Sequence, residues 1–144
     1  MTTTETVLVE VSRHIAATPE QVFDAWLEPD QARRWLFATE GGVMERCEID
    51  ARVGGSFRID ERRDGELAEH FGTYVEIDRP RRLVFDFGTS FEATPTRITV
   101  TIVADGDGAL LTLLHEGVWP DWAEKTRQGW TMVIERLART VEQA

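Results

Sequence analysis

The carboxy-terminal segment, Pro120–Ala144, constrains the fold more than any other part of the sequence. Its apolar or methyl-bearing residues recur at steps of three and four, which places them on one face of a helix: Trp122, Thr126, Trp130, Val133, Ile134, Leu137 and Val141. The segment therefore predicts one long amphipathic helix, with Asp121 as its N-cap and Glu124 completing a capping box. Because glycine inside a helix costs about 1 kcal/mol relative to alanine, we expect a close approach at Gly129, or an adjacent indole that needs the space.

The part of the chain before Pro120 predicts mainly strands. Val7, Val9 and Val11 alternate within a first strand over 5–14. A capping box at Thr18 and a break before Pro29 then indicate one short helix, followed by a second over 29–35. Six further period-two segments follow, and glycine-containing turns separate several of them: 44–49, 56–60, 69–77, 83–87, 96–103 and 110–116.

This order of elements predicts an α+β fold in a single domain over 1–144. Sequential hairpins give an antiparallel sheet, and one apolar face per strand gives a single covered side. We expect a bent sheet of six or seven strands wrapped around the last helix, with the two short helices at one end. The predicted covered residues are Phe57, Ile59, Phe71, Val75, Ile77, Leu83, Phe85, Ile98, Val100, Ile102, Leu111 and Leu113. Any function is expected in the cleft between sheet and helix.

Charge and composition exclude several classes of partner. The net charge of -10, from 26 acidic and 16 basic residues, repels phosphate backbones, so we expect no nucleic-acid partner. The densest basic cluster, Arg79, Arg81 and Arg82, adjoins Asp78 and is interpreted as a solvated hairpin end. The single Cys47 excludes an intrachain disulfide and fits a reducing compartment. No apolar run has the length of a signal or a membrane span, so a cytoplasmic location is expected.

Three histidines are the first candidates for chemistry near neutral pH. His14 and His70 lie beside charged residues and are predicted to be exposed. His115 follows two leucines at period two, so its ring is predicted on the covered side. There it could serve as a polar anchor or proton donor, or it could be a structural histidine satisfied by a backbone carbonyl or Glu116. The chain has no metal-binding or phosphate-loop spacing, so we expect no metal and no cofactor.

A series of motifs in a fixed order runs from Ser12 to the last helix: Arg13-His14-Ile15 to Pro19-Glu20-Gln21-Val22-Phe23-Asp24-Ala25-Trp26, Arg34-Trp35, Asp50-Ala51-Arg52-Val53-Gly54-Gly55, Gly72-Thr73-Tyr74-Val75-Glu76-Ile77-Asp78, Arg82-Leu83-Val84-Phe85, Leu113-Leu114-His115-Glu116-Gly117 and Gly129-Trp130. In this order they resemble the START-like (SRPBCC) superfamily, in the family of the heat-shock-protein-90 ATPase activator C-terminal domain. The resemblance implies the helix-grip fold. One departure is that many relatives continue the Trp of the second helix with another Trp and a Gly-Pro pair, whereas Leu36 and Phe37 follow Trp35 here.

Five tryptophans exceed what a small core needs, and indoles suit an apolar ligand that carries a polar group. The leading hypothesis is therefore a small hydrophobic molecule bound between sheet and helix, oriented by His115 and by an indole or Tyr74. The predicted ligand-binding residues are Phe57, Ile59, Phe71, Phe85, His115, Trp119, Trp122, Trp130 and Ile134.

Two alternatives from other classes stay open. One is cyclase- or hydrolase-like chemistry in the same cleft, with His115 as acid or base, which requires a second polar group near that ring. The other, suggested by the resemblance, is a co-chaperone-like protein-interaction domain. A homodimer formed through an edge strand is a further possibility.

Overall fold

The computed structural model describes residues 5–90 and 95–142. The elements in chain order are β1 (Val7–Ile15), α1 (Pro19–Leu27), α2 (Pro29–Ala32), β2 (Val43–Ile49), β3 (Ser56–Arg63), β4 (Glu66–Asp78), β5 (Arg82–Thr89), β6 (Thr96–Asp105), β7 (Gly108–Val118), a 3-10 turn (Pro120–Trp122) and α3 (Ala123–Glu142). All seven strands pair antiparallel in one curved sheet, in the order β1-β7-β6-β5-β4-β3-β2. The predicted α+β fold, with its strand number, helix pair and long last helix, is confirmed.

The two short helices form where the sequence places them. The Thr18 hydroxyl accepts a hydrogen bond from the Gln21 backbone N–H at 3.1 Å, and the Gln21 side chain accepts one from the Thr18 N–H at 3.0 Å. This reciprocal cap satisfies two of the free N–H groups at the start of α1. Helix α2 is shorter than predicted, and the turns after it carry Trp35 into the core. There the Trp35 indole donates to the Ala25 carbonyl at 3.2 Å and holds the pair together.

Helix α3 begins differently from the prediction. The chain enters it through the 3-10 turn with Trp119 at the N-cap position, and no side chain caps that turn, so the capping box at Asp121 does not form. The buried face of α3 carries Trp130, Ile134, Leu137, Ala138 and Val141, which pack on the inner face of the sheet. Gly129 is exposed, and a Cβ built there would have no atom within 4 Å. The expected close approach at Gly129 is therefore absent.

The inner face of the sheet matches the predicted covered set except in β4. On β4 the residues that turn inward are Ala68, His70 and Tyr74, while Phe71 is half-buried on the other face and Val75 is 36% exposed. A bulge between Tyr74 and Glu76 then shifts the pairing with β5 and restores the predicted side for Ile77, which packs against the core. Because side chains alternate, a one-residue error exchanges the two faces of a strand.

Strands β1 and β2 are the edges of the sheet. Pairing of two copies through an edge strand stays a prediction. Of the described helices, none has the length and hydropathy needed to cross a bilayer.

Candidate functional site

A cleft of about 910 Å³ opens where the ends of β5 and β7 and the start of β6 meet the start of α3. This volume lies within the range of about 300–1,000 Å³ that is usual for small-molecule sites. The cleft is lined by Thr6, Phe87, Gly88, Thr89, Pro95, Thr96, Arg97, His115, Glu116, Gly117, Val118, Trp119, Trp122 and Thr126. The lining includes four aromatic rings and four threonines together with Arg97 and Glu116, so a mostly apolar surface is combined with a few polar groups.

An irregularity in β7 shapes one wall of the cleft. Val9 pairs with His115, but Val7 pairs with Val118, so β7 accommodates one residue more than β1 over this stretch. The extra residue is taken up beside Gly117, whose φ of 79° lies in the left-handed region that favours glycine. After the bulge, the chain leads through Trp119 to the first turn of α3.

Two tryptophans are left largely uncovered beside the cleft. Trp119 is 44% exposed and Trp122 is 57% exposed. The Lys125 ammonium lies 5.4 Å from the Trp122 ring centroid, within cation–π distance, so that indole packs on one neighbour and leaves its remaining surface to solvent. Large indoles that stay exposed next to a concave surface are typical of binding sites.

His115 lies at the inner side of the cleft, in a chain of hydrogen bonds. The Trp130 indole N–H donates to His115 Nδ1 at 3.0 Å. Since an indole nitrogen can only donate, Nδ1 carries no proton, and the neutral ring must carry its proton on Nε2. That Nε2–H donates to the Thr96 hydroxyl oxygen at 2.7 Å, and the hydroxyl donates in turn to the Phe87 carbonyl at 3.4 Å.

Burial lowers the pKa of His115 to about 4, so the ring is neutral at physiological pH. Protonation would place a second N–H on Nδ1, opposite the N–H of Trp130, and two donors would then face each other. Both ring nitrogens are satisfied within the protein, by Trp130 and Thr96 rather than by a backbone carbonyl or Glu116. The ring therefore offers no free atom for acid–base chemistry in this arrangement.

An aromatic cluster continues inward from Phe87. The Phe37 ring is stacked on His70 at 4.2 Å between centroids and on Phe87 at 5.1 Å, and it is tilted against Trp130 at 5.8 Å. His70 is 6% exposed, so the prediction that it is exposed is wrong. Its Nδ1–H donates to the Ile59 carbonyl at 3.1 Å, and burial lowers its pKa to about 4. The cluster fills the space behind the cleft with packed rings.

Two charged residues of β3 hold the loop that carries Phe37. Arg63 donates to the Phe37 carbonyl at 3.0 Å and to Glu61 at 2.6 Å. Glu61 is 1% exposed and accepts from the Thr39 backbone N–H at 2.8 Å and from the Thr39 hydroxyl at 2.7 Å. Burial alone would raise the pKa of Glu61, but the hydrogen bonds from Thr39 and Arg63 outweigh burial and hold that pKa below its usual value. The loop is thus fixed by a carboxylate with three donors.

The residues predicted to bind a ligand fall into three groups. His115, Trp119 and Trp122 line the cleft. Phe57, Ile59, Phe85, Trp130 and Ile134 belong to the packed core. Phe71 is half-buried on the opposite face of the sheet. The structure thus brings three of these side chains together at one opening, and contact of any residue of the predicted set with a ligand stays a prediction.

Eleven of the fourteen lining residues are absent from the predicted set, although the sequence contained a signal for two of them, Phe87 and Thr96. Period two from Phe85 reaches Phe87, and period two backward from Ile98 reaches Thr96. Thr126 was assigned to the buried face of α3 by its spacing, but its position near the first turn of the helix makes it a lining residue of the cleft. Within the described ranges, no group of three or more potential ligand residues lies close enough together to hold a metal ion.

The sequence profile of the family described as Activator of Hsp90 ATPase homolog 1-like protein matches residues 16–142. The chain belongs to this family. Protein CV1439 from Chromobacterium violaceum is 29% identical, with a TM-score of 0.84 over 94% of this chain and 97% of that chain. An AHSA1-like protein from Aeromonas hydrophila is 21% identical, with a TM-score of 0.81 over 95% of this chain and 93% of that chain.

Protein SA2116 from Staphylococcus aureus shares the fold at 18% identity, with a TM-score of 0.86 over 96% of this chain and 95% of that chain. A comparison with proteins of curated function gave no match. Phe37 lies at the departure noted in the sequence, after Trp35 and Leu36. Its backbone φ is 59°, a left-handed conformation that suits glycine better than phenylalanine.

Proposed function

We propose that this protein binds a small, largely apolar molecule in the cleft between the end of the sheet and the start of α3. The observation that carries the proposal is an open cleft of about 910 Å³ flanked by two exposed indoles. A ligand that covers about half of each indole removes on the order of 200 Å² of apolar surface from water, which contributes about 5 kcal/mol at 25 cal/mol per Å². The apolar surface of the ligand adds to this term.

The polar groups of the cleft support a ligand with one or two neutral polar atoms. The Thr96 hydroxyl uses its proton on Phe87 and one lone pair on His115, so it has one lone pair left to accept a hydrogen bond. Arg97 lines the cleft but is paired with Asp86 at 3.0 Å, so its charge is already compensated. An alcohol, phenol or amide N–H on the ligand would match this set better than a carboxylate would.

Binding is tested by titrating the protein with 1-anilinonaphthalene-8-sulfonate and with a panel of uncharged aromatic and aliphatic alcohols, followed by tryptophan fluorescence. We expect Trp122→Ala to weaken binding at least about tenfold, because the indole is a large part of the apolar contact. Met132→Ala is the matched control, since Met132 is 62% exposed on α3, the helix that follows the turn carrying Trp122, but does not line the cleft.

Thr96→Val separates the polar contribution from the apolar one. The variant keeps the shape of the side chain and removes the hydroxyl. It should therefore weaken the binding of the alcohols more than the binding of hydrocarbons of the same size. Equal loss of affinity in Trp122→Ala and Met132→Ala, or no loss in Trp122→Ala, would contradict the proposal. Native mass spectrometry of the gently purified protein gives an independent check through a retained small molecule.

A further inference from the structure

A second, smaller pocket lies between the turns after α2 and the carboxy-terminal half of α3. Its volume is about 240 Å³, and its lining residues are Arg34, Arg136, Arg139 and Thr140. Along α3, these positions follow Thr126 by 10 to 14 residues, which at a rise of 1.5 Å per residue is about 15–20 Å. The pocket is therefore separate from the cleft that Trp122 and Thr126 line.

The arginines of this pocket differ in their pairing from those elsewhere in the chain. Within 5–90 and 95–142, every arginine has a carboxylate within 4.0 Å except Arg33, Arg34 and Arg139. Two of those three line the pocket. In a protein with a net charge of -10, carboxylates are abundant, so two guanidinium groups at one pocket without a carboxylate in contact are unusual.

The neighbouring carboxylates neutralise the pocket only in part. Arg136 pairs with Glu40 at 3.3 Å, but the Glu40 side chain is 98% exposed and is free to turn into solvent. Two further carboxylates lie near these residues along α3, Glu135 and Glu142, and both are paired with Arg13, at 2.8 Å and 3.5 Å. The hydrogen bond from Arg13 lowers the pKa of the Glu135 carboxyl, and Arg139 attracts that carboxyl and helps to lower its pKa, but neither carboxylate comes within 4.0 Å of Arg139 in the described part of the chain.

A role in helix stability explains only one of the three side chains. Arg139 lies in the last turn of α3, where a cation interacts favourably with the helix dipole. Arg136 lies a turn earlier, and Arg34 belongs to a different segment that faces α3 across the pocket. Like charges held at short distance repel each other, so an anion between them would remove an unfavourable interaction as well as form new contacts.

We propose that Arg34, Arg136 and Arg139 form a binding site for a small phosphate-type oxyanion. A guanidinium group presents its N–H donors in a planar fork that matches two oxygens of a phosphate. The pocket has room for phosphate, pyrophosphate or the phosphate group of a small metabolite, with the remainder of the ligand in solvent. Thr140 already donates to the Arg136 carbonyl at 2.9 Å, so the three arginines supply the recognition.

The charge of the whole protein selects the size of the anion. A net charge of -10 repels large polyanions and anionic membrane surfaces at long range. A small oxyanion carries less charge and reaches the arginines at short range. There the attraction of the arginines exceeds the repulsion from the net negative charge of the protein. We therefore expect binding to be stronger for inorganic pyrophosphate than for vesicles that contain anionic lipids.

The experiment is isothermal titration calorimetry with inorganic pyrophosphate and, separately, with glycerol 3-phosphate, at about 20 mM ionic strength where surface charges are weakly screened. Wild-type protein should bind pyrophosphate with a Kd below about 1 mM. Arg34→Gln and Arg139→Gln should each raise that Kd at least about tenfold, as expected for the loss of a charge-assisted contact. Binding of glycerol 3-phosphate in the same variants distinguishes a phosphate ester from a free oxyanion.

Arg33→Gln is the matched control because Arg33 is the adjacent residue, also has no carboxylate within 4.0 Å in the described chain, and does not line the pocket. It removes the same charge and should change the Kd by less than about twofold. An equal loss in Arg33→Gln would show general electrostatic attraction and overturn the proposal. No binding of either anion at about 10 mM would overturn it too. Thermal unfolding without anion verifies that each variant is folded.

Discussion

Replacing Phe37 tests whether its backbone is strained. The ring is 6% exposed and contacts His70, Phe87 and Trp130, while the backbone φ of 59° lies in the left-handed region. Removing a buried phenylalanine ring usually costs about 3–5 kcal/mol in free energy of unfolding. Both Phe37→Ala and Phe37→Gly lose this ring, so the difference between the two variants isolates the backbone.

The expected order of the two variants is unusual. Alanine in the left-handed region retains a penalty of about 1–2 kcal/mol, whereas glycine has none. Glycine also gains entropy in the unfolded chain, which offsets about 0.4–1 kcal/mol of that difference. We therefore expect Phe37→Gly to be more stable than Phe37→Ala by about 0.5–1 kcal/mol. At most positions, the alanine variant is more stable than the glycine variant.

The assay is equilibrium urea unfolding followed by far-ultraviolet circular dichroism, with both variants fitted with a common m-value. A difference of 1 kcal/mol corresponds to about 2–4 °C in Tm for a domain of this size, so thermal unfolding provides a second measurement. If Phe37→Ala is as stable as Phe37→Gly or more stable, the φ of residue 37 carries no strain and the reasoning fails. A loss below about 1 kcal/mol in both variants would show that the ring is not packed.

Three further outcomes follow from the structure. Gly129→Ala should stabilise the protein by up to about 1 kcal/mol in the same urea assay, since Gly129 is helical and its Cβ position is empty; a loss of stability would reveal a contact there. Burial lowers the pKa of His70 and His115 to about 4, whereas a histidine in the unfolded chain has a pKa of about 6.5. Below about pH 6.5 the unfolded state therefore binds more protons than the folded state. The contribution of these histidines to the free energy of unfolding should therefore be fully present above about pH 6.5. It should fall toward pH 4, by up to about 1.4 kcal/mol per pH unit for each histidine. His115→Gln should reduce this slope, and an unchanged slope between pH 6.5 and 4.5 would contradict the assignment. Glu61→Gln should cost about 1–3 kcal/mol, because it weakens the acceptor for Thr39 and Arg63, whereas the exposed Glu48→Gln serves as a control with no loss.

Features that depend on neighbours along the chain were predictable from the sequence. The spacing of apolar residues in the last segment predicted α3, and the Thr18 capping box predicted the start of α1. Hairpin turns predicted an antiparallel sheet, and its strand number agrees. These signals are local because helix and strand periodicity arise from the geometry of a few consecutive residues.

The candidate site was predictable only in part. His115 was correctly placed on the inner face, since β7 keeps strict alternation up to that residue. The β4 bulge and the inward face of His70 were not predicted, because apolar residues on both faces of β4 allow two registers and only pairing with β3 and β5 selects one. The charge at the small pocket depends on ion pairs between distant segments, Arg13 with Glu135 and Arg136 with Glu40, so no sequence pattern indicates it.

The sequence by itself determined that this protein has a curved antiparallel sheet closed by a long amphipathic helix, because alternation and helical spacing are properties of consecutive residues. Only the tertiary structure decided where space remains. Phe57, Phe85 and Ile134 fill the interior, while Trp119 and Trp122 stay at an opening beyond the Gly117 bulge. Large apolar side chains on one face can either fill a cavity or line it, and the choice depends on how side chains from distant strands and helices pack together.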